Sequence, residues 1–362
     1  MRHFISQMWL QRRENVFLKA LLGPLWLVSL VVAGVAWMRR HCLSGRSRRV
    51  KARVVSVGNL AVGGAGKTPV TIALARRLIA QGRRVAVLSR GYGRQGNQPL
   101  VVSDGHKILV SASQGGDEPM VLARALPGVP VLVGPDRAVI AEMAIERFGA
   151  EVIVLDDGFQ HLRLARDLDI VLVDATNPFG NGHVMPRGPL RESKSAMRHA
   201  DLAWITKVEG ADADEVARLA SELEAMTGRA PVCSATRVSD ICDLAGASLG
   251  KDALRGKRVF WACGLARPES FRRTLAALQG VTLIGEALFA DHHAFTRADL
   301  EVVASKARSF GAEAIAITAK DAAKIRECLG ESAQLEGAVW RVVHIDLEIV
   351  AGEALLDEVL GR

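Results

Sequence analysis

The sequence predicts an α/β protein: a hydrophobic N-terminal helix followed by two halves that each alternate strand with helix. Three observations carry this reading. Short aliphatic, β-branched runs recur at 54–57, 85–89, 151–155, 168–173, 203–206, 259–263 and 314–318, separated by stretches of helical spacing. A glycine-rich turn joins the first of these runs to a helix. An uncharged run of nineteen residues, 20–38, precedes them all. With 362 residues there is room for two domains or one enlarged α/β domain. The boundaries fall at 1–53 for a membrane-attachment helix with basic flanks, 54–230 for a phosphate-binding domain, and 231–362 for a smaller second α/β domain.

The N-terminal run is long enough, at ~1.5 Å per residue, to come close to crossing a ~30 Å hydrocarbon core. Pro24 near its start leaves open a shallower helix lying in the interface, and a helix buried in the soluble fold is the remaining alternative. The net charge of +8 is concentrated here. Residues 1–53 hold eleven Lys/Arg and one acid, whereas the rest of the chain has 36 basic against 38 acidic residues. The basic balance therefore does not indicate nucleic acid. Seven Lys/Arg and no acids follow the run between Arg39 and Arg53. That asymmetry predicts a body on the cytoplasmic side of the membrane and attraction to anionic headgroups. Five widely spaced cysteines without a C-x-x-C pair argue against a disulfide framework or a zinc site.

The phosphate site is the most informative stretch. Strand 54–59 runs into Gly63, Gly64, Ala65 and Gly66, then Lys67 and Thr68 open a helix. Glycines free the backbone N–H groups to converge on a phosphate, and the helix aims its positive end at the same point. Lys67 supplies a cation for the β- and γ-phosphates, and the Thr68 hydroxyl suits Mg²⁺. The strict motif asks for glycine at Ala61, so the match is one residue short.

Further along, strand 85–89 opens into a loop with Arg90 and Arg94, which suits either an anionic group or a solvated turn. Asp117 and Glu118 follow Gly115-Gly116 at a helix start, where local chemistry favours simple capping over a general base. The strand ending in Asp156 and Asp157 is the usual acidic partner of a phosphate loop, at the sheet edge where ligands gather. Asp174 ends a neighbouring strand, and of these Asp156 is the preferred metal ligand. The loop 180–192 carries Arg187 and Arg191, both suited to charge developing on a transferred phosphoryl group. The first domain closes after a polar helix over about 211–230. In the second half, Asp291-His292-His293 is as compatible with a surface turn as with a site.

Taken together, Gly58-Asn59 with Gly63-Gly64-Ala65-Gly66-Lys67-Thr68, Ser89-Arg90-Gly91-Tyr92-Gly93, Gly116-Asp117-Glu118-Pro119, Leu155-Asp156-Asp157-Gly158-Phe159-Gln160-His161, Arg187-Gly188-Pro189-Leu190-Arg191-Glu192 and Asp291-His292-His293 resemble the tetraacyldisaccharide 4′-kinase family of lipid A biosynthesis. The resemblance implies two α/β/α sandwich domains joined by a two-stranded linker, the first with a P-loop NTPase-like core. It implies transfer of the ATP γ-phosphate to the 4′-hydroxyl of a membrane-borne tetraacyldisaccharide 1-phosphate, giving lipid IVA, with Mg²⁺. It also implies that Asp117 works with His292 to deprotonate the sugar hydroxyl, which reverses the capping preference. Glu118, Asp156 and Asp157 match positions associated with the metal, and Gln160, Arg191 and Glu192 fall on motif positions at the nucleotide site. Arg187 receives no family role. No nucleic acid or obligate protein partner is implied.

The rival class is a membrane-attached GTPase or ATPase switch acting through a protein partner. Ile205-Thr206-Lys207-Val208-Glu209 and Thr318-Ala319-Lys320-Asp321 faintly resemble a guanine-reading motif. A switch has no use for Asp117 and His292, so their loss would leave its hydrolysis nearly intact.

Overall fold

The computed structural model describes residues 23–45, 47–265, 268–290, 293–329 and 338–361. The chain divides into two compact units. Unit 1 comprises 1–235 and 349–362, and unit 2 comprises 236–348.

Unit 1 begins with helix α1 (Gly23–Ser44). Its strands are β1 (Arg53–Asn59), β2 (Val85–Ser89), β3 (Leu100–Asp104), β4 (Pro130–Val133), β5 (Val152–Asp156), β6 (Leu168–Asp174), β7 (Leu202–Thr206) and the start of β8 (Val232–Cys242). Their order across the sheet is β3-β4-β2-β5-β1-β6-β7-β8. All neighbouring pairs are parallel except β3–β4. Parallel strands covered on both faces read as continuous apolar runs, and β2, β5, β6 and β7 are buried at every position. The helices of this unit are α2 (Lys67–Ala80), α3 (Ala112–Gly115), α4 (Asp117–Ala125), α5 (Arg137–Phe148) and α6 (Ala213–Thr227).

Two features differ from the sequence expectation. First, the C-terminal stretch returns to unit 1, so the second domain does not run to the end of the chain. Helix α10 (Glu353–Gly361) buries Leu356, Val359 and Leu360. The Arg53 guanidinium donates to the carbonyls of Val359 and Leu360, and Arg77 on α2 pairs with Glu353 and Asp357. Second, α1 does not stand free as an isolated apolar segment. Ser29 and Arg40 are buried and Val32 and Ala33 pack against the core that contains Phe159 and Leu190. Among the described residues no helix is long and apolar enough to cross a membrane.

Unit 2 is a sheet of strands β9 (Arg258–Cys263), β10 (Thr282–Leu288), β11 (Ala314–Thr318) and β12 (Trp340–Ala351), ordered β10-β9-β11-β12 and parallel throughout. Alternate side chains feed opposite cores, as the two-residue period of a strand requires. Phe260, Ala262, Ile315 and Ile317 pack under α8 (Arg297–Ser309) and α9 (Ala319–Leu329). Val259, Trp261, Ala314 and Ala316 face α7 (Pro268–Ala276). This unit is therefore an α/β/α sandwich. The chain passes between the units twice, once within β8 and once within β12. All five cysteines are free.

Candidate active site

The site of unit 1 lies at the carboxyl ends of β1 and β5, adjacent parallel strands in register from Arg53↔Val152 to Val57↔Asp156. Beyond β1 the backbone must turn sharply into α2. Gly66 provides the turn with φ of 82°, a left-handed conformation that a side chain would strain. Gly58 answers a different need, because a Cβ there would sit 2.4 Å from the Cβ of Phe159. The phosphate loop and the Phe159 segment can meet only around a glycine.

The loop is braced from β7. The Thr206 hydroxyl donates to the Ala65 carbonyl at 2.9 Å, and the Lys207 ammonium donates to the Gly64 carbonyl and to Asp174 at 2.8 Å. With those carbonyls tied back, Gly63, Gly64, Ala65 and Gly66 lead directly into Lys67 and Thr68 at the first turn of α2. A side chain at Gly64 would meet nothing within 4 Å, so the mouth of the loop is open.

Lys67 faces a ring of polar groups. Its Nζ donates to Asn59 Oδ1 at 3.2 Å and lies 3.5 Å from Asp157 Oδ1. Arg191 Nη1 donates to both Asp157 oxygens, at 2.8 and 3.0 Å, and to Gln160 Oε1 at 3.2 Å. Gln160 Nε2 in turn donates to the Asn59 carbonyl at 3.1 Å. Burial pushes the Asp157 carboxyl up, but Lys67 and Arg191 outweigh it and hold it below the usual carboxylate range. Asp157 itself takes φ of 58°, an uncommon conformation for a non-glycine residue and one found at functional sites.

Asp156 beside it is in the opposite state. It is almost fully buried, with only long contacts from Thr71 Oγ1 at 3.5 Å and Ser89 Oγ at 3.4 Å. Burial, then the nearby Glu118 charge, push its carboxyl up to about 7. The same interaction locates Glu118 near the Asp156 carboxylate, and with it Asp117 at the start of α4. Gly116 before them has φ of 91° and packs against the backbone of Gly91 and Tyr92. Asp156, Asp157, Glu118, Lys67, Gln160 and Arg191 thus come together as the motifs suggest. Glu192 is buried and faces the other way, bonded to Arg40 of α1. Asp291 and His292 lie outside the described residues. Among the described residues no three acidic, imidazole or thiol side chains are gathered to hold a metal unaided.

Several residues here received no individual role from the sequence. Asn59, which with Gly58 belongs to the motif set that carries the family resemblance, holds Lys67 from the end of β1. Arg137 is more surprising. It is buried, its Nε lacks a partner, and burial with help from Arg90 pushes its guanidinium down to about 10, against the pull of Asp157 and Asp156. A neighbouring imidazole, His161, is pushed down to about 4 by burial and then by Arg137. The two guanine-motif look-alikes serve local structure. Lys207 braces the phosphate loop, and Thr318 and Asp321 bond to each other at the start of α9, with Oγ1–Oδ2 of 2.7 Å.

Comparison with known proteins decides the family. The model of the tetraacyldisaccharide-1-P 4′-kinase family matches residues 19–362. The chain belongs to this family. The tetraacyldisaccharide 4′-kinase of Anaeromyxobacter sp. (strain Fw109-5) is 48% identical over 99% of this chain and 97% of its own length. That of Geobacter sulfurreducens is 38% identical over 94% of both. A crystal structure of the Aquifex aeolicus enzyme LpxK in complex with ATP superposes with a TM-score of 0.73 at 27% identity, covering 95% of this chain and 99% of that one. Membership in the tetraacyldisaccharide-1-P 4′-kinase family favours the phosphotransferase over the switch reading.

Proposed function

We propose that this protein transfers the γ-phosphate of ATP to the 4′-hydroxyl of tetraacyldisaccharide 1-phosphate, forming lipid IVA. The observation that carries the reading is the Lys67–Asp157–Arg191–Gln160–Asn59 network at an open phosphate loop, with Asp156 buried beside it. Lys67 takes the β- and γ-phosphates in exchange for its contacts to Asn59 and Asp157. Arg191, free to give up one Asp157 oxygen, offsets charge on the transferred group. A sugar hydroxyl is a weak nucleophile, so a base is needed, and Asp117, with His292 as the family resemblance implies, accepts its proton as the bond to phosphorus forms.

The residues fit Mg²⁺. A carboxylate held up near 7 with only long hydrogen bonds is short of positive charge, which a divalent cation supplies. Thr68, Glu118, Asp156 and Asp157 would hold it, with nucleotide phosphates completing the shell, as Mg²⁺ sites in kinases usually do. When bound, the ion offsets charge on the phosphate oxygens.

A four-chain lipid does not leave a bilayer, at ~0.8 kcal/mol per buried CH₂, so the enzyme works at the membrane. The outward side of α1 supports this: Trp26, Leu27, Leu30, Val31, Trp37 and Met38 are exposed while Ser29 and Arg40 face the protein. Large apolar side chains outside and polar ones inside suit an interfacial helix at the cytoplasmic face of the inner membrane. The basic residues after it suit anionic headgroups.

The test is transfer from labelled ATP to detergent-solubilised acceptor with Mg²⁺. Wild type gives labelled bisphosphorylated lipid, and Lys67→Ala and Asp117→Ala each slow it by on the order of a hundredfold or more. ATP or GTP hydrolysis with no labelled lipid overturns the reading.

A further inference from the structure

Helix α1 holds a single loop of unit 1 at two points about eleven residues apart, roughly 16 Å along the helix. Near its start the Ser29 hydroxyl accepts the backbone N–H of Arg187 at 3.1 Å. Near its end Arg40 grips Glu192 with two bonds, Nε to Oε2 at 2.9 Å and Nη2 to Oε1 at 2.8 Å. The side chains of that pair are only 7% and 10% exposed. The same guanidinium lies 4.4 Å above the Phe159 ring and reaches the Phe159 carbonyl at 3.5 Å.

The opposite edge of the loop is bonded to the phosphate loop. Val62 donates its N–H to the Pro189 carbonyl at 2.8 Å, Arg191 donates its N–H to the Leu60 carbonyl at 2.7 Å, and Ala61 bridges Leu190. Residues 187–192 are thus held between α1 and the turn that carries Lys67. Each group that Arg40 touches is the chain neighbour of a site residue: Glu192 precedes nothing catalytic but follows Arg191, and Phe159 precedes Gln160. Arg191 bonds Asp157 directly, and Gln160 accepts from the same Arg191 nitrogen while donating to the Asn59 carbonyl.

A buried ion pair contributes little net stability compared with apolar residues of the same volume, because both charges lose their water. What a two-point guanidinium–carboxylate contact does supply is a fixed geometry. We propose that Arg40 is a positioning residue: through Glu192 and Phe159 it fixes Arg191 against Asp157 and Gln160 against Arg191, so that the seating of α1 sets the order of the phosphate site. This rests on the kinase reading above. Arg40 is buried, with its bonds going to Glu192 and Phe159, and it acts from an element whose outward face is apolar. Phosphoryl transfer is thereby tied to correct placement of the helix.

The experiment compares full-length wild type with Arg40→Met, Arg40→Lys, Glu192→Met and the double variant Arg40→Met/Glu192→Met, in mixed micelles of the acceptor lipid. Wild-type transfer is the control, and its absence would overturn the kinase reading rather than this one. Arg40→Met is expected to lower kcat by roughly ten- to a hundredfold. KM for ATP and for the acceptor stay within about threefold, the pattern of lost transition-state geometry rather than lost binding. Arg40→Lys recovers part of the loss. The double variant, with no charge left buried and unpaired, regains wild-type thermal stability but not kcat, and is no slower than the slower single variant. Return of kcat together with stability would reduce the pair to a structural contact and overturn the proposal. So would losses that multiply in the double variant, which would give Glu192 a role of its own on the substrate, or a change confined to the acceptor KM.

Discussion

Asp156→Asn should make the protein more stable while abolishing transfer, and the gain should grow with pH. The carboxyl is carried from its ordinary 3.8 to about 7 by burial and by Glu118. The sign follows from which state holds the proton. Between those two values the unfolded chain has released it and the folded chain has kept it, so stability falls as pH rises across that window. Above 7 both states are ionised and the folded state carries the whole cost, on the order of 4 kcal/mol. At about pH 5.5 the cost is roughly 2 kcal/mol, so the advantage of the amide should widen by roughly 2 kcal/mol between about pH 5.5 and about pH 8.5. Urea unfolding of both proteins in EDTA, without nucleotide, reads this difference directly. Thr71 and Ser89 are hydroxyls and can turn to serve an amide as well as a carboxylate, so the substitution leaves no new orphan. An advantage that is the same at both pH values, or that shrinks as pH rises, would refute the account of Asp156 as an under-compensated buried charge. It would remove the main physical reason for placing a divalent cation there.

Two further outcomes test other parts of the molecule. Leu356→Ala, in the tail helix that returns to unit 1, should cost about 2–5 kcal/mol in urea unfolding, because the side chain is almost fully buried. A cost below about 1 kcal/mol would mean that α10 is not part of that core. On the outward face of α1, Leu30→Ser with Trp37→Ser should weaken flotation with anionic vesicles by about tenfold or more, since each apolar side chain is worth roughly 1.5–3 kcal/mol on burial. Thermal stability should be unchanged, as both residues are at least half exposed. Unaltered flotation would count against the interfacial role of the helix.

What could be read from the sequence was what local chemistry determines. The phosphate loop, Lys67, and the acidic end of β5 are set within a few residues of each other by backbone conformation and strand register, and a linear reading reaches them. Asp117 lay at the limit of that method: in isolation it is a helix cap, and only the company of distant motifs gives it another role. Arg137 and the return of α10 were out of reach for a different reason. Whether an arginine is buried, or which sheet a C-terminal helix covers, depends on packing between elements far apart in the chain. The Arg40–Glu192 pair, 152 residues apart, is the extreme case. In sequence Arg40 is one of seven basic residues after an apolar run and reads as a headgroup contact. Its neighbour Arg39 is exposed and makes a long contact, from Nη2 to the Gln160 carbonyl at 3.5 Å, whereas Arg40 lies four residues past Ala36 and eleven past Ser29, on the inward stripe. Helical phase separates the two: a turn of about 100° per residue leaves one guanidinium at the surface and sends the next to a buried carboxylate. The same phase leaves Trp37 and Met38 facing out. A single helix can therefore present an apolar surface on one side and hold the 187–192 loop on the other.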